Sequence, residues 1–141
     1  MRRGLVLPAV LVVCGAVAAT APLLDGSYGA GAALLAASAL FACVNSPLVF
    51  PRSTSAREAQ RRSALDGRPV VYWRPGCTYC LRLRLRLGHR ARRLHWVDIW
   101  RDPEGAAVVR AANDGDETVP TVVVAGRAQV NPDATWVREQ L

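Results

Sequence analysis

The chain contains no lysine: all 18 basic residues among its 141 are arginine, set against 11 acids for a net charge of +7. That uniformity, together with heavy use of Ala, Val and Gly, reads as the coding bias of a GC-rich genome. The pI of 10.2 is therefore discounted as a sign of nucleic-acid binding. No aromatic-basic RNA signature accompanies the charge, and no nucleic-acid partner is expected. Histidine is scarce, at 2 residues, and the 4 cysteines include only one closely spaced pair. A zinc ribbon needs a second ligand pair. None is present, so no metal is expected. Internal repeats and low-complexity tracts are absent.

Charge is missing from a whole region. From Gly4 to Phe50 the only charged side chain is Asp25, whereas Pro51 to Leu141 carries 16 Arg against 10 acids. Two materials are joined end to end. The apolar runs 4–24 and 28–50 are each long enough, as helices, to match a hydrocarbon core of about 30 Å. The turn Asp25-Gly26-Ser27 between them makes a transmembrane helical hairpin, residues 1–50. Small residues such as Gly29, Ala30 and Gly31 allow the helices to approach closely. Asn45, Ser46 and Pro47 suggest a helix end. Arg2 and Arg3 flank the first run, Arg52, Arg57, Arg61 and Arg62 follow the second, and the turn has none. The positive-inside rule then predicts a two-span protein of the cell membrane, in contact with the lipid bilayer, with its catalytic domain in the cytoplasm. A rival reading is a signal peptide, with Ala19-Thr20-Ala21 as the cleavage pattern. Cys14 and Cys43 read as small apolar filler within the spans.

Residues 51–67 read as a linker containing a short polar helix, Ala56 to Leu65. From 68 to 141 the pattern is that of a small α/β domain. Pro69 to Trp73 is a strand by its β-branched and aromatic content. Leu81 to Arg93 alternates with period two at first, but Leu and Arg are good helix formers and a helix is expected. Leu94 to Trp100 is apolar on both faces apart from Asp98 and reads as a central strand. Asp102, Pro103 and Glu104 open a helix as N-cap, first position and first-turn acid. Val119 to Val124 and Arg127 to Val130 form a hairpin through Gly126. Asn131-Pro132-Asp133 caps a last helix. The order is βαβαββα. The four tryptophans read mostly as core, and His89 and His95 as surface or packing residues.

Chemistry concentrates at Cys77-Thr78-Tyr79-Cys80, between a strand and a helix. Cys77 at a helix N-terminus has free backbone N–H groups and the helix dipole to stabilise its thiolate, and Arg74 adds a cation. Cys80 falls one turn further on and is shielded. This geometry predicts that Cys77 attacks a disulfide and Cys80 resolves the mixed disulfide. Pro120 alone reads as a turn into a strand.

Residues 70–141 resemble the glutaredoxin family of the thioredoxin-like fold, most of all its mycoredoxin and mycoredoxin-like members in actinobacteria. The resemblance is carried by Val71-Tyr72-Trp73, the Cys77 to Leu83 stretch, Val97-Asp98-Ile99, Thr118 to Val122, and Asn131-Pro132. It implies a thioredoxin-like, glutaredoxin-type fold, with Cys77 as nucleophile and Cys80 as resolving thiol. It also implies a cis Val119–Pro120 bond placing the Val119 backbone beside Cys77, and substrate contacts from Arg74, Tyr79, Val119 and Pro120. Thr78 stands where the family commonly has Pro, and Asn131-Pro132-Asp133 where it commonly has Gly-Gly. With no cofactor bound, the reductant implied is a small thiol, mycothiol ahead of glutathione.

The expected function is a membrane-anchored thiol-disulfide oxidoreductase that reduces small-thiol mixed disulfides or protein disulfides. Alternatives are a non-catalytic iron–sulfur-binding or adaptor module, and an exported oxidant if the signal-peptide reading holds.

Overall fold

The computed structural model describes residues 3–44 and 50–141. The chain divides into two compact units, Met1–Phe50 and Pro51–Leu141.

In the first unit, α1 (Arg3–Leu24) and α2 (Tyr28–Val44) pack as a hairpin through a turn at Gly26, whose φ is +73°. The Ser27 N–H donates to the Pro22 carbonyl at 2.8 Å, closing the first helix. Close approach depends on missing side chains. A Cβ on Gly15 would collide with Ser38, and one on Gly31 would lie 2.5 Å from Leu23 Cδ2. Cys14 and Cys43, expected as apolar filler, are both exposed.

The expected membrane spans are overturned. Among the described residues no helix is long and apolar enough to cross a membrane. The described part of α2 has 17 residues, about 25 Å at 1.5 Å per residue, against a hydrocarbon core of about 30 Å. α1 reaches 22 residues only by including Arg3 at one end and Pro8 and Pro22 within it. The transmembrane hairpin, the cell-membrane localisation and the bilayer partner are corrected accordingly. The suggested helix end at Asn45, Ser46 and Pro47 lies outside the described residues.

The second unit is built on a four-stranded sheet, β1 (Val70–Trp73), β2 (His95–Asp98), β3 (Thr121–Val124) and β4 (Arg127–Val130), in the order β2-β1-β3-β4. β1 pairs parallel with β2, placing Trp73 beside Asp98. It pairs antiparallel with β3, placing Tyr72 beside Thr121, and β3 pairs antiparallel with β4. All four β1 side chains are buried, as a central strand of Val, Val, Tyr and Trp demands. The covering helices pack in two pairs, α3 (Ala56–Asp66) with α5 (Pro103–Ala112), and α4 (Thr78–Leu87) with α6 (Ala134–Glu139).

The period-two leucines resolve as a helix. Cys80, Leu83 and Leu87 are buried, at the three- and four-residue steps of one helical face, while Leu85 is exposed. The expected helix to Arg93 ends at Leu87, because Gly88 takes φ +57°, and continues as a 3-10 turn over Gly88–Arg93. α5 lies so close to the sheet that a Cβ on Gly105 would sit 2.8 Å from Val97 Cγ1.

The stretch expected as a linker, 51–67, packs on the sheet. Ala56 and Ala59 of α3 are buried, the Thr54 N–H donates to the Trp96 carbonyl at 3.0 Å, and Gln60 Nε2 donates to the Tyr72 hydroxyl at 3.1 Å. Asp102 joins this stretch to the rest. One carboxylate oxygen accepts the Gly105 N–H at 2.9 Å and caps α5, and the other accepts the Ala56 N–H at 2.7 Å at the start of α3. Each such cap contributes about 1 kcal/mol. Asp102→Ala therefore lowers stability by about 2 kcal/mol, read as a lower urea midpoint by tryptophan fluorescence, since all four tryptophans lie in this unit. An unchanged midpoint would contradict the double cap.

Candidate active site

Parallel pairing brings the carboxyl ends of β1 and β2 to one edge of the sheet, and antiparallel pairing brings the start of β3 and the end of β4 to the same edge. The loop Arg74-Pro75-Gly76 leaves β1 at that edge, with Pro75 buried and Gly76 at φ +77°, and delivers the chain to α4.

Cys77 is the N-cap of α4, in extended conformation. Its Sγ accepts the Cys80 N–H at 3.1 Å, and it lies 3.4 Å from the Val119 carbonyl, to which the protonated thiol donates. Cys77 is half-buried and Cys80 fully buried, and both are free thiols. The facing Cys80 thiol does most to lower the Cys77 pKa. Burial opposes it, while the Cys80 N–H, the Arg74 guanidinium and the Tyr79 N–H add to it, and the balance falls at about 7. Burial, and then the nearness of Cys77, pushes the Cys80 thiol far up, so it stays protonated.

Val119 and Pro120 are buried on the other side of Cys77, and their peptide bond is cis. Two bonds hold this turn. The Thr121 hydroxyl, itself buried, donates to the Thr118 carbonyl at 2.8 Å, and the Asn131 N–H donates to the Pro120 carbonyl at 2.7 Å. Sequence reasoning did not single out either tether. A hydroxyl one residue after the proline, in a strand otherwise of valine, is the signal that marks Thr121.

Tyr79 is exposed, and the Arg82 guanidinium stands over its ring at 5.8 Å. The two residues are three apart, hence neighbours on the helix. They line an open cleft of about 200 Å³ with Leu83 and Arg86 of α4 and with Asn131 to Ala134 at the start of α6. Arg86 and Asp133 face each other at 3.5 Å across it. The cleft begins at Tyr79, two residues along the chain from Cys77, and is walled by guanidinium and carboxylate groups. The sequence marks Asn131-Pro132-Asp133 as standing where the family commonly has Gly-Gly, but it did not join that segment to Arg82 and Arg86, because helices α4 and α6 meet only in the folded chain.

The structure thus brings Arg74, Cys77, Tyr79, Cys80, Val119 and Pro120 to one edge. Trp73 and Trp96 are core as expected, while Trp100 is not: it is 61% exposed just past β2. Among the described residues no group of three or more His, Cys, Asp or Glu is placed to hold a metal ion.

Residues 70–128 match the family model described as Glutaredoxin. Two proteins of Mycobacterium tuberculosis named as glutaredoxins, one from strain CDC 1551 / Oshkosh and one from strain ATCC 25618 / H37Rv, are each 38% identical over 73 residues. That is 51% of this chain and 87% of theirs. No solved structure matches the chain significantly.

The thiol asymmetry has a direct readout. Alkylation of the native chain, mapped by peptide mass so that Cys14 and Cys43 are followed separately, modifies Cys77 well before Cys80. The Cys77 rate climbs with pH to a plateau above about 7 and falls about tenfold per unit below it, following the thiolate fraction. Earlier modification of Cys80 would reverse the assignment.

Proposed function

The chain belongs to the glutaredoxin family and is a disulfide oxidoreductase, and on that premise we propose that Cys77 is its nucleophile and Cys80 its resolving thiol. The observation that carries this reading is the Cys77 sulfur accepting the Cys80 N–H at the start of α4, with Cys80 itself buried.

In the small-thiol reaction the Cys77 thiolate attacks the small-thiol sulfur of a mixed disulfide. A Cys77–small-thiol disulfide forms as the protein–small-thiol disulfide breaks, and the protein sulfur leaves with the electron pair and takes a proton from water. A second small thiol attacks this disulfide as a thiolate. Cys77 is released as thiolate, and the two small thiols leave as their disulfide, having supplied the two electrons. With an intramolecular protein disulfide, Cys77 forms the adduct and Cys80 attacks the Cys77 sulfur. The substrate is released as a dithiol and the enzyme pair is left oxidised, to be re-reduced by small thiol. Cys80 must give up its proton in that step, so resolution is slower than attack unless the departing thiolate accepts it.

Arg74 stabilises the thiolate before attack and after release. The Val119 backbone beside the sulfur aligns the substrate chain, with Pro120 holding that backbone in place, and Tyr79 forms a wall of the small-thiol cleft. Mycothiol is favoured over glutathione in that cleft. Pro132, which stands in the segment where the family commonly has Gly-Gly, has no N–H to donate to a peptide-like thiol, and Asn131 and Asp133 offer side chains suited to hydroxyl groups.

Two substitutions test the mechanism. Cys80→Ser retains much of the activity on small-thiol mixed disulfides but accumulates covalent adducts with disulfide proteins, visible on non-reducing gels. Cys77→Ser loses both. Full activity of Cys77→Ser would refute the mechanism.

The thiol is tested separately with the intact chain and one protein substrate carrying either mixed disulfide, each with its own reducing system. The expected result is faster turnover of the mycothiol form. Equal or faster turnover of the glutathione form would overturn that preference and leave the cysteine roles untouched.

A further inference from the structure

Small thiol and polypeptide are different kinds of partner, and the site has two different sides. Along the active edge of the sheet the order is the end of β2, the end of β1, the start of β3 and the end of β4. The cleft of Tyr79, Arg82 and Asp133 lies toward β4 and α6. On the β2 side the edge ends in Trp100 and Arg101.

A single exposed aromatic is ordinary on a protein surface. Trp100 is distinguished by how it is held. Ile99 N–H donates to the Trp73 carbonyl at 3.0 Å, continuing the β1–β2 ladder past the last paired strand residues. The chain then turns sharply, with the Arg101 and Asp102 N–H groups both donating to the Asp98 carbonyl, at 3.0 and 3.1 Å. The Asp98 carboxylate is only 3% exposed and grips the same turn twice, accepting the Trp100 N–H at 3.0 Å and facing Arg101 Nε at 3.4 Å. A buried carboxylate is costly unless it is bonded. Here its bonds present an indole and a guanidinium outward from a rigid turn. The Arg101 side chain remains 42% exposed. Beyond it opens a shallow cleft of about 530 Å³, lined by Ser55, Arg57 and Arg101 to Glu104.

We propose that Trp100 and Arg101 form the docking surface for the polypeptide half of the substrate, and that it selects an apolar or aromatic residue and a carboxylate beside the reacting cysteine. The inference rests on Cys77 being the nucleophile. Three features fit this occupant. The surface is continuous with the active edge, an exposed aromatic ring on a hydrogen-bonded turn offers a large contact area, and Arg74 and Arg101 together complement an acidic flank. The thiol cleft lies on the opposite, β4 side of the site, which leaves this surface to the polypeptide half of the substrate.

The test uses the prereduced full chain in single turnover, which needs no external reductant. Two peptides, each with one cysteine in mixed disulfide with mercaptoethanol, are compared: one with Phe and Glu flanking the cysteine, one with Gly and Lys. Bis(hydroxyethyl) disulfide serves as the reference without polypeptide. The native chain reacts about tenfold faster with the Phe-Glu peptide, the scale of one aromatic contact with a charge pair. Trp100→Ala reduces that preference to about twofold or less, and Trp100→Phe keeps most of it. A native chain without preference, or a preference that survives Trp100→Ala, would overturn the docking surface alone. A native chain inert toward bis(hydroxyethyl) disulfide would overturn the cysteine assignment and the docking surface with it.

Discussion

One hydrogen bond organises the chemistry of this chain: the Cys80 N–H donating to the Cys77 sulfur at 3.1 Å. It exists because Cys77 is the first residue outside α4 and Cys80 is inside its first turn, so a sulfur occupies the position usually given to a capping oxygen. An anionic sulfur satisfies that orphan donor better than a neutral one. The helix therefore gains from the thiolate, and the thiolate gains from the helix. The same turn that exposes Cys77 to the donors rotates Cys80 into the core, where burial opposes its ionisation. The difference between the two thiols is a property of one helix start, and the rest of the domain serves to place that start at the edge of the sheet.

Placement is achieved by tethers from outside the CxxC segment. Cys77 meets a carbonyl from the loop before β3, that loop is held by Thr121 and Asn131, and Asn131 stands just after β4. At the other end of the edge Asp98 and Asp102 fold the chain after β2 and fasten α3 and α5. These are polar bonds made in half-buried surroundings, where an unmade partner carries a cost. Loosening any of them moves a wall of the site while leaving the hydrophobic core intact. A domain of this size, with a small core in which Val and Ala predominate, positions its site by such bonds more than by bulk.

Legibility in the sequence follows the range of the interactions. The strands, the helix capped by Asp102, the hairpin through Gly126 and the cysteine pair were readable because each is encoded within about ten consecutive residues. The alternating Leu-Arg run was ambiguous by pattern and was settled by helix propensity, which burial of Leu83 and Leu87 with exposure of Leu85 explains. Residues 51–67 misled because polar composition suggests a linker. Two small alanines, Ala56 and Ala59, suffice to seat α3 on the sheet, and small residues carry a weak hydrophobic signal. Trp100 misled for the opposite reason, since a tryptophan following a buried strand is ordinarily core. The apolar N-terminal region misled through length: the uncharged runs of 21 and 23 residues met the span criterion by count, whereas among the described residues no helix is long and apolar enough to cross a membrane.

The arginines show why composition and position answer different questions. As a count, 18 guanidinium groups and no ammonium group say little beyond coding bias. At individual positions they do separate things. Arg74 lowers the Cys77 pKa, Arg82 stands over Tyr79, Arg86 faces Asp133 across the cleft, and Arg101 shares the Asp98 carboxylate. A planar group with five donors can stack, pair and still present N–H groups to a ligand, which a lysine at the same place does less well. The net positive charge is thereby spread along the active edge on both sides of the reactive sulfur. An anionic nucleophile flanked by cations repels less of an approaching anionic substrate than it would alone, and the same cations hold the thiolate that departs. Screening by salt acts on the exposed members and spares the half-buried Arg74, so the local field at the sulfur persists where the surface field does not.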